Sequence, residues 1–228
     1  MSLISFRNVS VKFKSGIEAL KNVSFEIEKG EFVFLVGVSG SGKTTMLRLL
    51  LREILPNEGQ IFFDEEEISK KRGINIVKLR RKIGTSFQDV KLLMDRTIEE
   101  NIAVCLDIYN KKKQEAKAEI DSVLDLVDLS DKREMFPAQL SGGEMQRVGI
   151  ARAVVGDPMI IFADEPTANL DEEASWQIAS LLKEINRTGK TVIVATHNVD
   201  LVDSMKQRVL HLDKGVLTQD TKDGTYHK

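Results

Sequence analysis

The most specific chemistry in the chain lies in one short run. Gly37-Val38-Ser39-Gly40-Ser41-Gly42-Lys43-Thr44 fits G-x-x-x-x-G-K-[ST] in full. Glycines let backbone amides converge on phosphate oxygens, where side chains would block the approach. Lys43 is long enough to reach the β- and γ-phosphates of a nucleotide, and the Thr44 hydroxyl suits Mg²⁺. A helix opening at this point would aim the positive end of its dipole at the same anion. Further on, the apolar residues 160–163 run directly into Asp164-Glu165. Adjacent side chains at a strand end need not share a direction. Asp164 is thus placed to hold Mg²⁺ or its water, and Glu165 to polarise an attacking water as general base. A strand ending in two acids is a weak signal alone. Beside a complete phosphate loop it supplies the second carboxylate such a site needs.

A third run reads Leu140-Ser141-Gly142-Gly143-Glu144-Met145-Gln146. Ser141 and Glu144 fit the S-x-x-E capping box, opening a helix over residues 144–155. A capped start with two glycines also presents free amides, a second anion site. One chain does not need two such sites for one triphosphate. The second makes sense if it serves a nucleotide held by another copy.

These runs need elements to position them. Residues 3–13 alternate in part, Ser15-Gly16 offers a turn, and residues 19–27 alternate again, so both stretches read as β. Residues 31–37 form a near-continuous apolar run, the pattern of a strand covered on both faces. The segment 44–55 is helical in composition. Residues 56–59 form a turn, and residues 60–63 a short strand. From about residue 89 to 156 the pattern is mostly helical, with Ile120, Val123, Leu124 and Val127 on one face. Lys111, Lys112 and Lys113 suit a solvated helix start. Then β and α alternate: strands at 159–163, 191–195 and 208–212, helices near 172–186 and 199–204. The whole is an α/β arrangement with a helical insertion. The polar residues 218–228 read as a loosely ordered tail.

Composition excludes several classes. The chain has 228 residues, 42% of them hydrophobic, with 33 basic and 35 acidic side chains. That is enough for one large domain, and too balanced for a broadly basic nucleic-acid surface. The lone Cys105 suits a reducing compartment. Charges interrupt every apolar run before a membrane-spanning length, and the first ten residues lack the shape of a signal peptide. A soluble cytosolic protein is the expectation. His211 and His227 belong to no motif.

In order and spacing the chain resembles the ATP-binding cassette (ABC) ATPases over essentially its whole length. The match comprises the Walker A loop at 37–44, Gln88 in a Q-loop, the LSGGE motif at 140–144 and Walker B ending at Asp164. Glu165 follows, then a D-loop at 168–171 and His197 in an H-loop. The resemblance implies a P-loop NTPase fold of the ABC type. It has a RecA-like core with an antiparallel β subdomain (residues 1–88 and 157–228) and an inserted helical subdomain (about 89–156). It also implies ATP and Mg²⁺ as cofactors. Phe13 would stack on adenine, where relatives more often have Tyr. Gly37, Ser39, Gly40, Ser41, Gly42, Lys43, Thr44 and Thr45 would surround the phosphates. Thr44, Gln88 and Asp164 would hold the metal, and Glu165, Gln88 and His197 would serve catalysis. Ser141, Gly142, Gly143, Glu144 and Asp171 would face the nucleotide of a second copy in a head-to-tail homodimer. Val38, Met145 and Asn198 depart from commoner residues without removing a phosphate or metal contact.

The run after Gln88 faces the membrane partner in this family. Here Leu92-Leu93-Met94-Asp95-Arg96-Thr97-Ile98-Glu99-Glu100-Asn101 resembles the bacterial cell-division branch. That branch implies an integral membrane partner, a peripheral place on the cytoplasmic face of the inner membrane, and control of peptidoglycan hydrolysis. Lipoprotein-releasing and macrolide-type exporters are the alternative. A DNA-handling cassette would need long insertions, and Ser141 follows Lys43 by only 98 positions; no nucleic-acid partner is expected.

Overall fold

The computed structural model describes residues 2–109, 111–222 and 224–226; the expectation for His227 lies outside them. Strands β1 (Ser2–Lys12) and β2 (Glu18–Glu28) lead into β3 (Phe32–Val36), α1 (Lys43–Leu50), β4 (Glu58–Phe63) and β5 (Glu66–Glu67). Helix α2 (Ile76–Arg81) and strand β6 (Ile83–Ser86) precede α3 (Ile98–Asp107), α4 (Lys113–Leu126) and α5 (Gly142–Val154). Two short 3₁₀ turns, Ser130–Lys132 and Pro137–Gln139, separate α4 from α5. The chain ends with β7 (Ile160–Asp164), α6 (Glu172–Arg187), β8 (Thr191–Thr196), α7 (Val199–Met205), β9 (Arg208–Asp213) and β10 (Val216–Thr221).

Two sheets result. One is antiparallel, in the order β2-β1-β4-β5; the other runs β10-β9-β3-β8-β7-β6. In the second sheet β9, β3, β8, β7 and β6 are parallel, and only β10 pairs antiparallel. Its central strands are mostly apolar because both faces are covered. Side chains alternate between faces, and the alternation divides the interior in two. Phe34, Val36, Ile161, Ala163, Val192 and Val194 face a core shared with α3, α4, α5 and α6. Val33, Leu35, Ile160, Phe162, Ile193 and Ala195 face a core shared with α1 and the antiparallel sheet.

Three expectations need correction. Helix α1 stops at Leu50, five residues short of the expected end at 55. Arg52 there takes a left-handed conformation at φ 55, and the Arg52 and Glu53 amides donate to the Leu49 and Arg48 carbonyls. That is a Schellman stop built without glycine, held by the Arg52 guanidinium bonding to the Ile68 and Lys70 carbonyls. Helix α5 opens at Gly142, not 144, directly after the capping serine. The expectation of a loose tail fails for residues 218–221, which complete β10, and for Tyr226, which is buried; residues 223, 227 and 228 lie outside the described ones. The other strands and helices lie within about two residues of expectation. The face of Ile120, Val123, Leu124 and Val127 is buried as expected. Among the described residues no helix is long and apolar enough to cross a membrane.

Candidate functional site

The parallel strands deliver the motif residues to one edge. Val36 pairs with Thr196, Asp164 with Ala195, and Ser86 with Ala163. The loops that follow β3, β6, β7 and β8 therefore leave the sheet side by side at its carboxyl end, where open α/β sheets bind ligands. A cavity of about 730 Å³ lies there. Its lining includes Phe13, Ser39, Gly40, Gly42, Lys43, Thr44, Thr45, Gln88, Asp164, Glu165 and His197.

The phosphate loop is shaped by what cannot fit. A Cβ on Gly37 would lie 2.2 Å from the Leu212 carbonyl oxygen, and one on Gly42 would lie 2.7 Å from the Ala19 oxygen. Gly42 caps α1 at φ 118, a conformation glycine alone adopts without cost. Lys43 opens α1 and is buried; its ammonium donates to the Gly37 and Val38 carbonyls at 2.7 and 3.3 Å. The Glu165 carboxylate is 3.8 Å from the same cation. The Ser41 Oγ is buried and has no hydrogen-bond partner. An orphaned hydroxyl inside a loop of converging amides fits an anion with oxygens to share.

The two adjacent acids do take separate directions. Asp164 ends β7 and accepts from the Thr44 hydroxyl at 3.2 Å. Burial raises the Asp164 pKa, reinforced by the Glu165 charge and opposed by the Thr44 bond and the Lys43 ammonium. Such a carboxyl, beside a hydroxyl, fits a divalent cation that would restore its charge. Glu165 leaves the strand at φ 49, a left-handed conformation rare for a glutamate. That turn swings its carboxylate toward His197: His197 Nδ1 is 2.9 Å from Glu165 Oε1, and the His197 amide donates to Oε2 at 3.3 Å. The His197 ring itself is two-thirds exposed. Phe13 stands partly buried at the mouth, with the Arg48 guanidinium 5.9 Å from its ring centre.

The glycine pair is elsewhere. Residues 141–144 do not line this cavity. The capping box of α5 is complete: Ser141 Oγ accepts from the Glu144 amide, and Glu144 accepts from the Ser141 amide. Glu144 is also paired with Lys132, which with the Ser141 bonds holds its carboxyl down to about 2. Ser141 and Gly142 remain exposed. Asp171 caps α6 by accepting from the Ala174 amide at 2.7 Å, and Leu170 packs beside Gly142. The LSGGE run and the D-loop thus form one exposed corner, apart from Lys43.

The segment 91–101 is held firmly. Asn101, almost wholly buried, accepts from the Leu93 amide and donates to the Leu93, Arg96 and Thr97 carbonyls. Arg152 donates to the Lys91 carbonyl at 3.1 Å. Ile98 is core, whereas Leu93, Met94, Asp95 and Arg96 are exposed. Phe87, Val104 and Ile108 are also exposed. Beside them lies a groove of about 210 Å³ lined by Phe87, Val90, Cys105, Ile108 and Tyr109.

Four residues that line the main cavity were not among the expected site residues: Ile17, Ala19, Val38 and Tyr226. Tyr226 lines it from the chain's last described turn. Tyr226 belongs to none of the phosphate or carboxylate motifs; with Gly224 in the acidic tail it counted only toward the resemblance to the cell-division branch, with no role in the site.

Residues 20–168 match the family model described as ABC transporter. The chain is 42% identical to the cell division ATP-binding protein FtsE of Bacillus subtilis, covering 98% of each chain. It is 45% identical to the FtsE protein of Mycobacterium tuberculosis, again over 98% of both. Among solved structures it is similar to the dimeric ATP-binding cassette MJ0796 in a post-hydrolysis state bound to ADP and Pi. There the TM-score is 0.86 and the identity 35%, over 98% of this chain and 100% of that one.

Proposed function

The chain belongs to the ATP-binding cassettes of the ABC transporter family, and we propose that it is the ATP-hydrolysing subunit of a cell-division complex with an integral membrane protein of the FtsX kind. The observation that carries this reading is the meeting of Lys43, Thr44, Asp164, Glu165 and His197 around one cavity. In this reading residues 89–156 act as the helical subdomain. Residues 1–88 and 157–228 form the RecA-like core with its antiparallel sheet.

ATP is the substrate. Phe13 stacks on its base, the amides of the loop at residues 39–44 take its phosphate oxygens, and Lys43 turns from the loop carbonyls to the γ-phosphate. Thr44, Asp164 and Gln88 hold Mg²⁺, which supplies neutralisation of phosphate charge. Glu165 accepts a proton from water as the water oxygen attacks the γ-phosphorus, and the bond to ADP breaks. His197 keeps the Glu165 carboxylate aimed and contacts the γ-phosphate. Ser141 and Gly143 of the partner subunit complete the site, which explains why the exposed corner of the LSGGE run stands apart from Lys43. Opening and closing of the pair moves the segment 91–101. Its clamped backbone and exposed Leu93, Met94, Asp95 and Arg96 make it a rigid contact for the membrane protein at the cytoplasmic face. That motion controls peptidoglycan hydrolases through the membrane protein.

The test is Glu165→Gln in the full chain. It keeps ATP binding, loses turnover by at least about a thousandfold, and accumulates as an ATP-bound dimer by light scattering. Rapid hydrolysis by this variant would overturn the assignment.

A further inference from the structure

We infer that Lys132 is a positioning residue for the nucleotide of a second copy: by holding the Glu144 carboxylate it leaves the Ser141 hydroxyl free to donate to a γ-phosphate. The inference rests on the reading that the LSGGE corner completes the partner's site, and goes beyond it to a residue outside every motif.

Three bonds set up a competition. The Ser141 hydroxyl donates to Glu144 Oε2 at 2.9 Å, and the Ser141 amide donates to the same oxygen at 2.7 Å. Lys132 takes the other oxygen, Oε1. A serine hydroxyl has one hydrogen to give. Here it is given to Glu144, so a phosphate must draw it away. An unpaired carboxylate would hold it hardest, since hydrogen bonds to ionised groups are the strong ones. The Lys132 ammonium on Oε1 offsets that charge and loosens the hold. The Ser141 Oγ still accepts from the Glu144 amide at 3.3 Å, so the serine keeps its aim while its hydrogen changes partner.

The corner also needs the positive charge. The first turn of α6 packs against it: a Cβ on Gly143 would lie 3.4 Å from Ala174 Cβ, and the exposed Asp171, Glu172 and Glu173 precede that alanine. A triphosphate arriving there meets acids, and an unpaired Glu144 would add another. Lys132 is fixed where it can answer this. It ends the 3₁₀ turn Ser130–Lys132. Its amide donates to the Leu129 carbonyl at 3.0 Å, and its own carbonyl accepts from the Met135 amide at 2.9 Å. The pair with Glu144 is partly buried, so salt screens it less than an exposed pair. Among the described residues no other cation is paired with Glu144; Arg147, one turn along α5, donates to Gln177 instead.

The experiment measures the ATP concentration that gives half-maximal dimer, by light scattering on the full chain carrying Glu165→Gln, so that turnover does not interfere. Lys132→Ala is expected to raise that concentration by about three- to tenfold, and Lys132→Arg to bring it back to within about twofold of the parent. When Glu144→Gln is also present, Lys132→Ala is expected to add nothing, because no carboxylate is left to hold. A purely structural lysine gives another pattern: Lys132→Ala lowers the Tm and dimerises at the parent's ATP concentration. That result overturns the inference, and so does an equal loss beside Glu144→Gln. ADP titration by calorimetry checks the cavity of each chain, and a Lys132→Ala chain that loses ADP also overturns it. Ser141→Ala is the control on the corner itself. If it dimerises as the parent does, or the parent does not pair with ATP, the reading of the corner fails and Lys132 falls with it. If Ser141→Ala loses the dimer while Lys132→Ala does not, only the role of Lys132 falls.

Discussion

Lys43 is held by the oxygens of its own loop, and its ammonium has already left water. Moving it to a phosphate exchanges two carbonyls for a full charge, and charge-assisted bonds are roughly twice as strong. Lys43→Ala should therefore weaken ATP binding by at least about tenfold, read by calorimetry. Asp164 gives a pH prediction. Its pKa is raised by burial, so in the proposed site a proton would compete with Mg²⁺ for the carboxylate. Mg²⁺ affinity should fall as pH drops toward that raised value, earlier than for an exposed aspartate, and Asp164→Asn should lose this dependence. The stability sign agrees. With no cation bound, a raised carboxyl favours the fold at low pH, and that contribution is lost as pH rises through the folded value. Titrating Mg²⁺ at several pH values checks the first statement, and denaturant unfolding of the cation-free protein at the same pH values checks the second. At this scale the polar lining of the cavity was legible because it comes from short marked runs, residues 37–44 and 164–165, and from residue 197. The place of Tyr226 at the cavity was not, because it depends on a turn around Gly224 that brings in a ring from far along the chain.

The elements differ in how plainly they show in sequence. β3 is apolar end to end, and β7 and β8 are apolar but for Asp164 and the two terminal threonines, so all three stand out. α2 and β6 do not. α2 buries only Leu79 among cationic residues, and β6 is four residues containing Gly84. A Cβ on Gly84 would lie 1.8 Å from the Ala153 carbonyl, so α5 lies against that strand and the strand gives up its side chain there. The end of α1 was hidden for another reason, since an arginine takes the left-handed stop that glycine usually marks. Helix α5 supplies a further prediction. Glu144 is held down to about 2 chiefly by Lys132, then by the Ser141 bonds. A depressed carboxylate stabilises the fold above its unfolded pKa of about 4.3, and that contribution disappears as pH falls toward 2. Glu144→Gln should thus be less stable than the parent at neutral pH, with the gap closing in acid, as denaturant unfolding at several pH values would show. For the segment 91–101, charge reversal at exposed Asp95 or Arg96 should weaken capture of the membrane protein while ATP affinity stays intact. Co-purification from membranes reads this directly; identifying the captured protein would also separate a cell-division partner from an exporter. Unchanged capture would place the contact elsewhere.

The strands of the parallel sheet send alternate side chains into two separate interiors, one beneath the helices and one beneath the antiparallel sheet. Truncating Leu124 removes packing from the first, and truncating Phe63 from the second. Each alanine variant should lose about 2–5 kcal/mol. Because the two sites share no neighbours, the losses should add to within about 0.5 kcal/mol. The sheet then behaves as a party wall: damage in one room leaves the furniture of the other in place. Only residues built into the wall, such as Phe162 and Ile161 facing opposite ways on β7, can let one side feel the other.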